Sequence, residues 1–97
     1  MPTKSYDDFL IDELRDPELA AGYLSEALRG GSMEVFLIAL RNVAEARGGL
    51  GALAEETALN RQNLYRMLSE NGNPTLADLM ALLAALGIDI EFKASAA

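Results

Sequence analysis

The chain has 97 residues, a formal net charge of -7 and 51% hydrophobic residues, which suits one domain with a modest core and excludes a multi-domain enzyme. Cysteine and histidine are both absent, so thiol nucleophiles, disulfide frameworks, Cys/His zinc sites and imidazole relays are excluded, and neither catalysis nor a metal or cofactor is expected. The longest apolar stretch, 79–88, falls short of the roughly 18 to 20 residues of a membrane span, and the N-terminus leads into acids, so a cytoplasmic protein with no membrane partner is expected.

The negative charge is uneven. Residues 1–34 hold eight acids against Lys4, Arg15 and Arg29, whereas residues 35–86 hold five acids against Arg41, Arg47, Arg61 and Arg66. Overall acidity argues against a general nucleic-acid binder, because phosphates need Lys and Arg, but the near-balance of the second part relaxes that argument.

In chain order, Ser5 is expected to cap a first helix that puts Tyr6, Phe9, Leu10 and Leu14 on one face, with Asp7 and Asp8 at its positive N-terminal end. Asp16-Pro17 restarts the chain as N-cap and first helical residue. A second helix then runs to about 28 on a stripe of Leu19, Ala20, Tyr23, Leu24, Ala27 and Leu28, and Gly30-Gly31 ends it. Ser32 opens a third helix, 33 to about 47, with Phe36, Leu40, Val43 and Ala44 inward and Gly48-Gly49 closing it. Two short helices, about 52–57 and 61–69, are separated only by 58–60. Residues 71–74 read as a loop, and Thr75 with Asp78 forms a variant capping box for a last helix ending at Gly87. Ile88, Ile90 and Phe92 alternate with Asp89, Glu91 and Lys93, which predicts a short C-terminal β-strand. The fold class is all-α with this one strand. The whole chain, 1–97, reads as one domain: acidic N-terminal helices over 1–31, a helical core over 32–87, and a strand and tail over 88–97.

The segment 50–69 carries the most information. Leu53 faces the core one turn before Thr57, small Ala54 permits close approach of a second helix, Leu59 sits in the turn, and Leu64, Met67 and Leu68 bury that helix. Such spacing predicts a helix-turn-helix whose outer face presents Asn60, Arg61, Gln62, Asn63, Tyr65 and Arg66. Amides and guanidinium groups can make paired hydrogen bonds to adenine and guanine edges in the major groove, whereas the plain alternative is a solvated polar face. Gly48-Gly49-Leu50-Gly51 follows a helix and lacks the Lys-Ser/Thr ending of a phosphate loop, so a helix stop and a turn are the better account. The acid pairs Asp7-Asp8, Asp12-Glu13 and Glu55-Glu56 diverge by about 100° around their helices and do not make paired-carboxylate sites. Tyr6, Phe9 and Tyr23 read as core rather than as a ligand box.

The stretch Ala54-Glu-Glu-Thr-Ala-Leu-Asn-Arg-Gln-Asn-Leu-Tyr-Arg-Met-Leu-Ser-Glu-Asn-Gly-Asn-Pro-Thr75 resembles the DNA-binding motif of addiction-module antidote proteins, HigA-like antitoxins of the phage-repressor (Xre) class. Asp-Pro-Glu-Leu-Ala-Ala-Gly-Tyr-Leu from Asp16, Phe-Leu-Ile-Ala-Leu-Arg-Asn-Val-Ala-Glu-Ala-Arg-Gly from Phe36 and the closing Ala-Leu-Gly-Ile are also similar to that family, so the resemblance covers nearly the whole chain. It implies a five-helix DNA-binding antitoxin that represses its own operon as a dimer and is partnered by a small basic toxin of the RelE/ParE-like superfamily. Two positions depart from the pattern. Ala58 replaces the usual turn Gly, where a positive φ would cost about 1 kcal/mol, and Gly51 replaces the usual Ser or Thr cap.

Three expectations follow for sites. Arg61, Gln62 and Arg66 read bases in operator DNA, with Asn60 and Asn63 at the helix entry. The strand residues Ile88, Ile90 and Phe92 pair with the same strand of a second copy to make a homodimer. The acidic front binds the toxin, with Ile11 and Leu14 as exposed apolar anchors. The alternative to DNA reading is a helical protein-interaction module, favoured by the acidity and the lack of a dense basic stripe.

Overall fold

Six α-helices follow one another in the computed structural model, which describes residues 6–57 and 59–96: α1 (Tyr6–Glu13), α2 (Pro17–Arg29), α3 (Met33–Ala46), α4 (Leu50–Glu56), α5 (Arg61–Met67) and α6 (Leu76–Ala85). Their starts are written in the sequence. Asp16 is extended and its carboxylate accepts from the Glu18 N–H at 2.9 Å, while Pro17, lacking an N–H, occupies the first helical position at no cost. Ser32 accepts from the Val35 N–H at 3.2 Å and Thr75 from the Asp78 N–H at 3.1 Å, so α3 and α6 begin where expected. The expected cap at Ser5 and the turn position Ala58 lie outside the described residues.

Helix α3 is the hub, packing against α1, α2 and α4, while α4 in turn packs against α5 and α6. It buries Phe36, Leu37, Ala39, Leu40, Val43 and Ala44, a wider face than the four expected inward residues. Leu53 of α4, Leu64 of α5, Leu68, Leu82 of α6 and Leu86 are fully buried in the same core, each contributing about 1.5 to 3 kcal/mol by removal from water. Leu14, Ala20 and Leu24 belong to the same core, so the acidic front is packed onto the rest of the molecule.

A tight turn separates α3 from α4. Gly48 and Gly49 adopt φ values of 111° and 96°, where side chains are strained, and the Gly49 N–H donates to the Ala44 carbonyl at 2.9 Å. This arrangement supports a helix stop, and α4 starts directly after Gly49. Gly72 is required for a different reason. A Cβ there would stand 2.1 Å from the Met67 carbonyl oxygen, so the 71–74 loop passes directly over the end of α5.

Two sequence expectations are corrected. The described residues contain six helices and no strand, so the five-helix count and the C-terminal β-strand both fall. The Ile88 N–H turns back to the Leu83 carbonyl at 2.9 Å and its side chain packs half-buried on the core, whereas Ile90 is exposed and Phe92 is 92% exposed. Alternation specifies a strand only where a neighbouring strand completes the ladder, and among the described residues this segment has none. Pairing of that strand between copies loses its basis with it.

The second correction concerns α1 and the two ends of α2. Tyr6 and Phe9 are exposed, as are Leu19 and Leu28, while Tyr23 is half-buried. Helix α1 has eight residues and reaches the core through Leu10 in its second turn and Leu14 just beyond, so its first turn overhangs. At 5% exposure Leu14 is a core residue and not an exposed anchor.

Candidate nucleic-acid interface

Helices α4 and α5, seven residues each, are joined by residues 57–60. Within that connection the Leu59 N–H donates to the Thr57 hydroxyl at 3.2 Å, and Leu59 packs against the core. Asn60 then caps α5, its side-chain oxygen accepting from the Asn63 N–H at 2.7 Å. Its amide oxygen is therefore committed to the helix, a role that also explains an amide at this position. Leu64 and Met67 anchor α5 from behind, and Leu68 follows them into the core.

The opposite side of α5 is wholly exposed and carries the five remaining residues expected from sequence: Arg61, Gln62, Asn63, Tyr65 and Arg66. Two pairs on it are arranged by helical spacing. Arg61 donates to the Tyr65 hydroxyl at 3.3 Å, with its guanidinium carbon 5.6 Å from the ring centroid, and Arg66 donates to the Asn63 side-chain oxygen at 3.2 Å. The hydrogen bond to Tyr65, with a smaller electrostatic contribution from the same group, holds Arg61 above its ordinary pKa. Gln62 makes no such bond and presents its amide to solvent. Asn63 and Arg66 also form one side of a groove of about 430 Å³, whose other side is Asn71, Asn73 and Asp78.

Gly51 lies in the first turn of α4. A Cβ built on it would be 3.8 Å from the Arg61 guanidinium carbon, an ordinary contact, so Arg61 lies beside the start of α4. This is where a Ser or Thr stands in the resembled pattern.

The arginines of α3 have another task that the sequence does not reveal. Arg41 donates to the Leu68 carbonyl at 2.8 Å and Arg47 to the Leu86 carbonyl at 2.7 Å, closing the C-terminal ends of α5 and α6. A cation there also answers the negative end of each helix. Arg15 pairs with Asp12 and Arg29 with Glu26. Among the described arginines this leaves Arg61 and Arg66 as the two whose guanidinium groups lie on the polar face of α5.

The remaining expected site residues lie elsewhere. Ile11 is half-buried on α1, and Ile88, Ile90 and Phe92 lie in the non-helical segment after α6. Among the described residues, no group of acids is placed to hold a metal ion, and no helix is long and apolar enough to cross a membrane.

Comparison with known proteins adds an independent line. A family described as "Probable addiction module antidote protein" matches residues 3–94. A Haemophilus influenzae protein described only as uncharacterized is 34% identical over 94 residues, covering 96% of each chain. No solved structure matches. An antidote of an addiction module has a toxin for its partner, and the match spans all six helices just described. The chain belongs to the family of probable addiction module antidote proteins.

Proposed function

We propose that this antidote is a HigA-like antitoxin of the phage-repressor (Xre) class, which neutralises a small basic RelE/ParE-like toxin and represses its own operon through a helix-turn-helix formed by α4 and α5. The observation that carries the DNA reading is the outer face of α5: a helix held by Leu64 and Met67 behind, with Gln62 and Arg66 projecting beside Asn63 in front. Gln is matched to the N6/N7 edge of adenine and Arg to the O6/N7 edge of guanine. With two guanidinium groups on the face, phosphate neutralisation is small, so useful affinity requires two half-sites and hence a homodimer.

The test is a gel-shift titration of the full chain against DNA upstream of its own gene and against a scrambled copy. Gln62→Ala and Arg66→Ala each lose about 1 to 3 kcal/mol of the preference for the upstream DNA. Wild-type preference retained by both variants refutes the assignment of these readers. A wild-type chain that binds neither DNA favours the second reading, a helical protein-interaction module, which the net charge of -7 supports.

A further inference from the structure

Helices α2, α3 and α6 leave an apolar groove of about 140 Å³, and residues 88–91, just after α6, form one of its walls. Leu24, Phe36 and Leu83, each no more than 6% exposed, line it from the core. Leu28 and Ile90 line it while 60% and 41% exposed. A space of about 150 Å³ lined by Leu, Ile and Phe side chains holds one molecule of benzene. The groove is therefore the size of a phenylalanine side chain. Asp89 and Glu91 line it as well and are exposed, which sets carboxylates beside the apolar space. Together these features suit an aromatic ring with a cation next to it. The chain carries such a pair itself. Phe92 is 92% exposed one residue past the wall, and Lys93 follows it, exposed and with no ion pair among the described residues.

We propose that the homodimer forms by reciprocal exchange, in which Phe92 of each copy fills the groove of the other and Lys93 meets the carboxylates at that groove's rim. This rests on the reading above, in which two half-sites require two copies, and it adds where the copies join. No strand ladder is needed, because the contact is a side chain in a groove. Ring and groove wall are one residue apart, a reach of at most about 3.6 Å along the chain. A two-fold axis beside residue 91 thus lets both rings cross at once with neither chain stretched. Charge selects the occupant. Two chains of -7 repel each other at long range, so they join where each brings a cation to the acids of the other. The two desolvated rings supply the anchors.

The experiment is sedimentation equilibrium of the full chain over a range of concentrations. Wild type dimerises. Phe92→Ala and Leu28→Glu each weaken the dimer by about tenfold or more, because each change removes both insertions at once. Mixed in equal amounts, these two variants associate at least about threefold more tightly than either alone, since the ring of the Leu28→Glu copy enters the intact groove of the Phe92→Ala copy. Lys93→Glu weakens the dimer by about threefold. Leu28 and Phe92 are both exposed, so their variants keep the fold, which a circular dichroism melt of the dilute chain verifies. The exchange is overturned by a Phe92→Ala dimer as tight as wild type or by a mixture no tighter than its components. A wild-type dimer that loses its association as expected in the variants, yet shows no preference for the upstream DNA, keeps the exchange and removes the DNA reading. A wild-type chain that stays monomeric and still prefers that DNA removes the exchange alone.

Discussion

Two glycine-to-alanine changes, chemically identical, are expected to move stability in opposite directions. Gly22 lies inside α2, exposed, and a Cβ built on it meets nothing within 4 Å. Alanine there removes a flexible residue from the unfolded chain without opposing anything in the folded one, so Gly22→Ala stabilises by about 0.5 to 1 kcal/mol. At Gly72 the same methyl group stands 2.1 Å from the Met67 oxygen, 2.8 Å from the Met67 carbonyl carbon and 3.0 Å from the Arg66 oxygen. All three are backbone atoms of the last turn of α5, so no side chain can swing aside and the loop must lift by about 1 Å. Overpacking of this kind costs about 1 to 3 kcal/mol. For a domain of this size, each kcal/mol moves the midpoint by about 4 to 8 °C, so thermal unfolding followed by circular dichroism separates the two variants clearly. Gly22→Ala melts a few degrees above wild type and Gly72→Ala at least about 4 °C below it. A Gly72→Ala midpoint equal to wild type means that the loop does not ride on α5 as described, and the groove beside Asn63 and Arg66 loses its wall.

Two further outcomes test the packing. Arg41→Met removes a charged donor from the partly buried Leu68 carbonyl and costs about 1.5 to 3 kcal/mol in urea unfolding, whereas Arg47→Met costs less because Arg47 is exposed and water replaces it at Leu86; the reverse order refutes the role given to Arg41. Phe92→Ala leaves the stability of the dilute, monomeric chain within about 0.5 kcal/mol of wild type, as befits a side chain 92% exposed in a non-helical segment, and a larger loss shows that Phe92 is covered within its own chain.

Local chemistry made most of the helices legible. Asp16-Pro17, Ser32 and Thr75 each announce a helix start through a side-chain oxygen that answers an N–H two or three residues on, and the structure uses all three. The polar row of α5 was equally plain because Leu64 and Met67 fix which side of so short a helix is hidden. The errors arose where the answer depends on distant neighbours. Ile88, Ile90 and Phe92 alternate, yet nothing in six residues says whether a second strand lies alongside. Tyr6 and Phe9 fall on the same stripe as Leu14, yet how far α1 extends past the core is decided by the length of α3 against which it lies. The tasks of Arg41 and Arg47 were invisible because their acceptors are 27 and 39 residues away.

Arg41 ties the hub helix to the end of α5, and this gives the molecule a mechanical property. A seven-residue helix has too few turns to hold itself together in water, since nucleation is unfavourable and propagation has no length in which to recover it. Helix α5 therefore persists only while Leu64, Met67 and Leu68 remain seated in the core and the Leu68 carbonyl has its guanidinium partner. It has no partial state in which its polar row survives after the hub has come apart. Any event that opens α3, whether heat, a protease or a partner that pulls on the α1 side, dissolves that row in the same step, so the protein is either wholly able to present it or not at all.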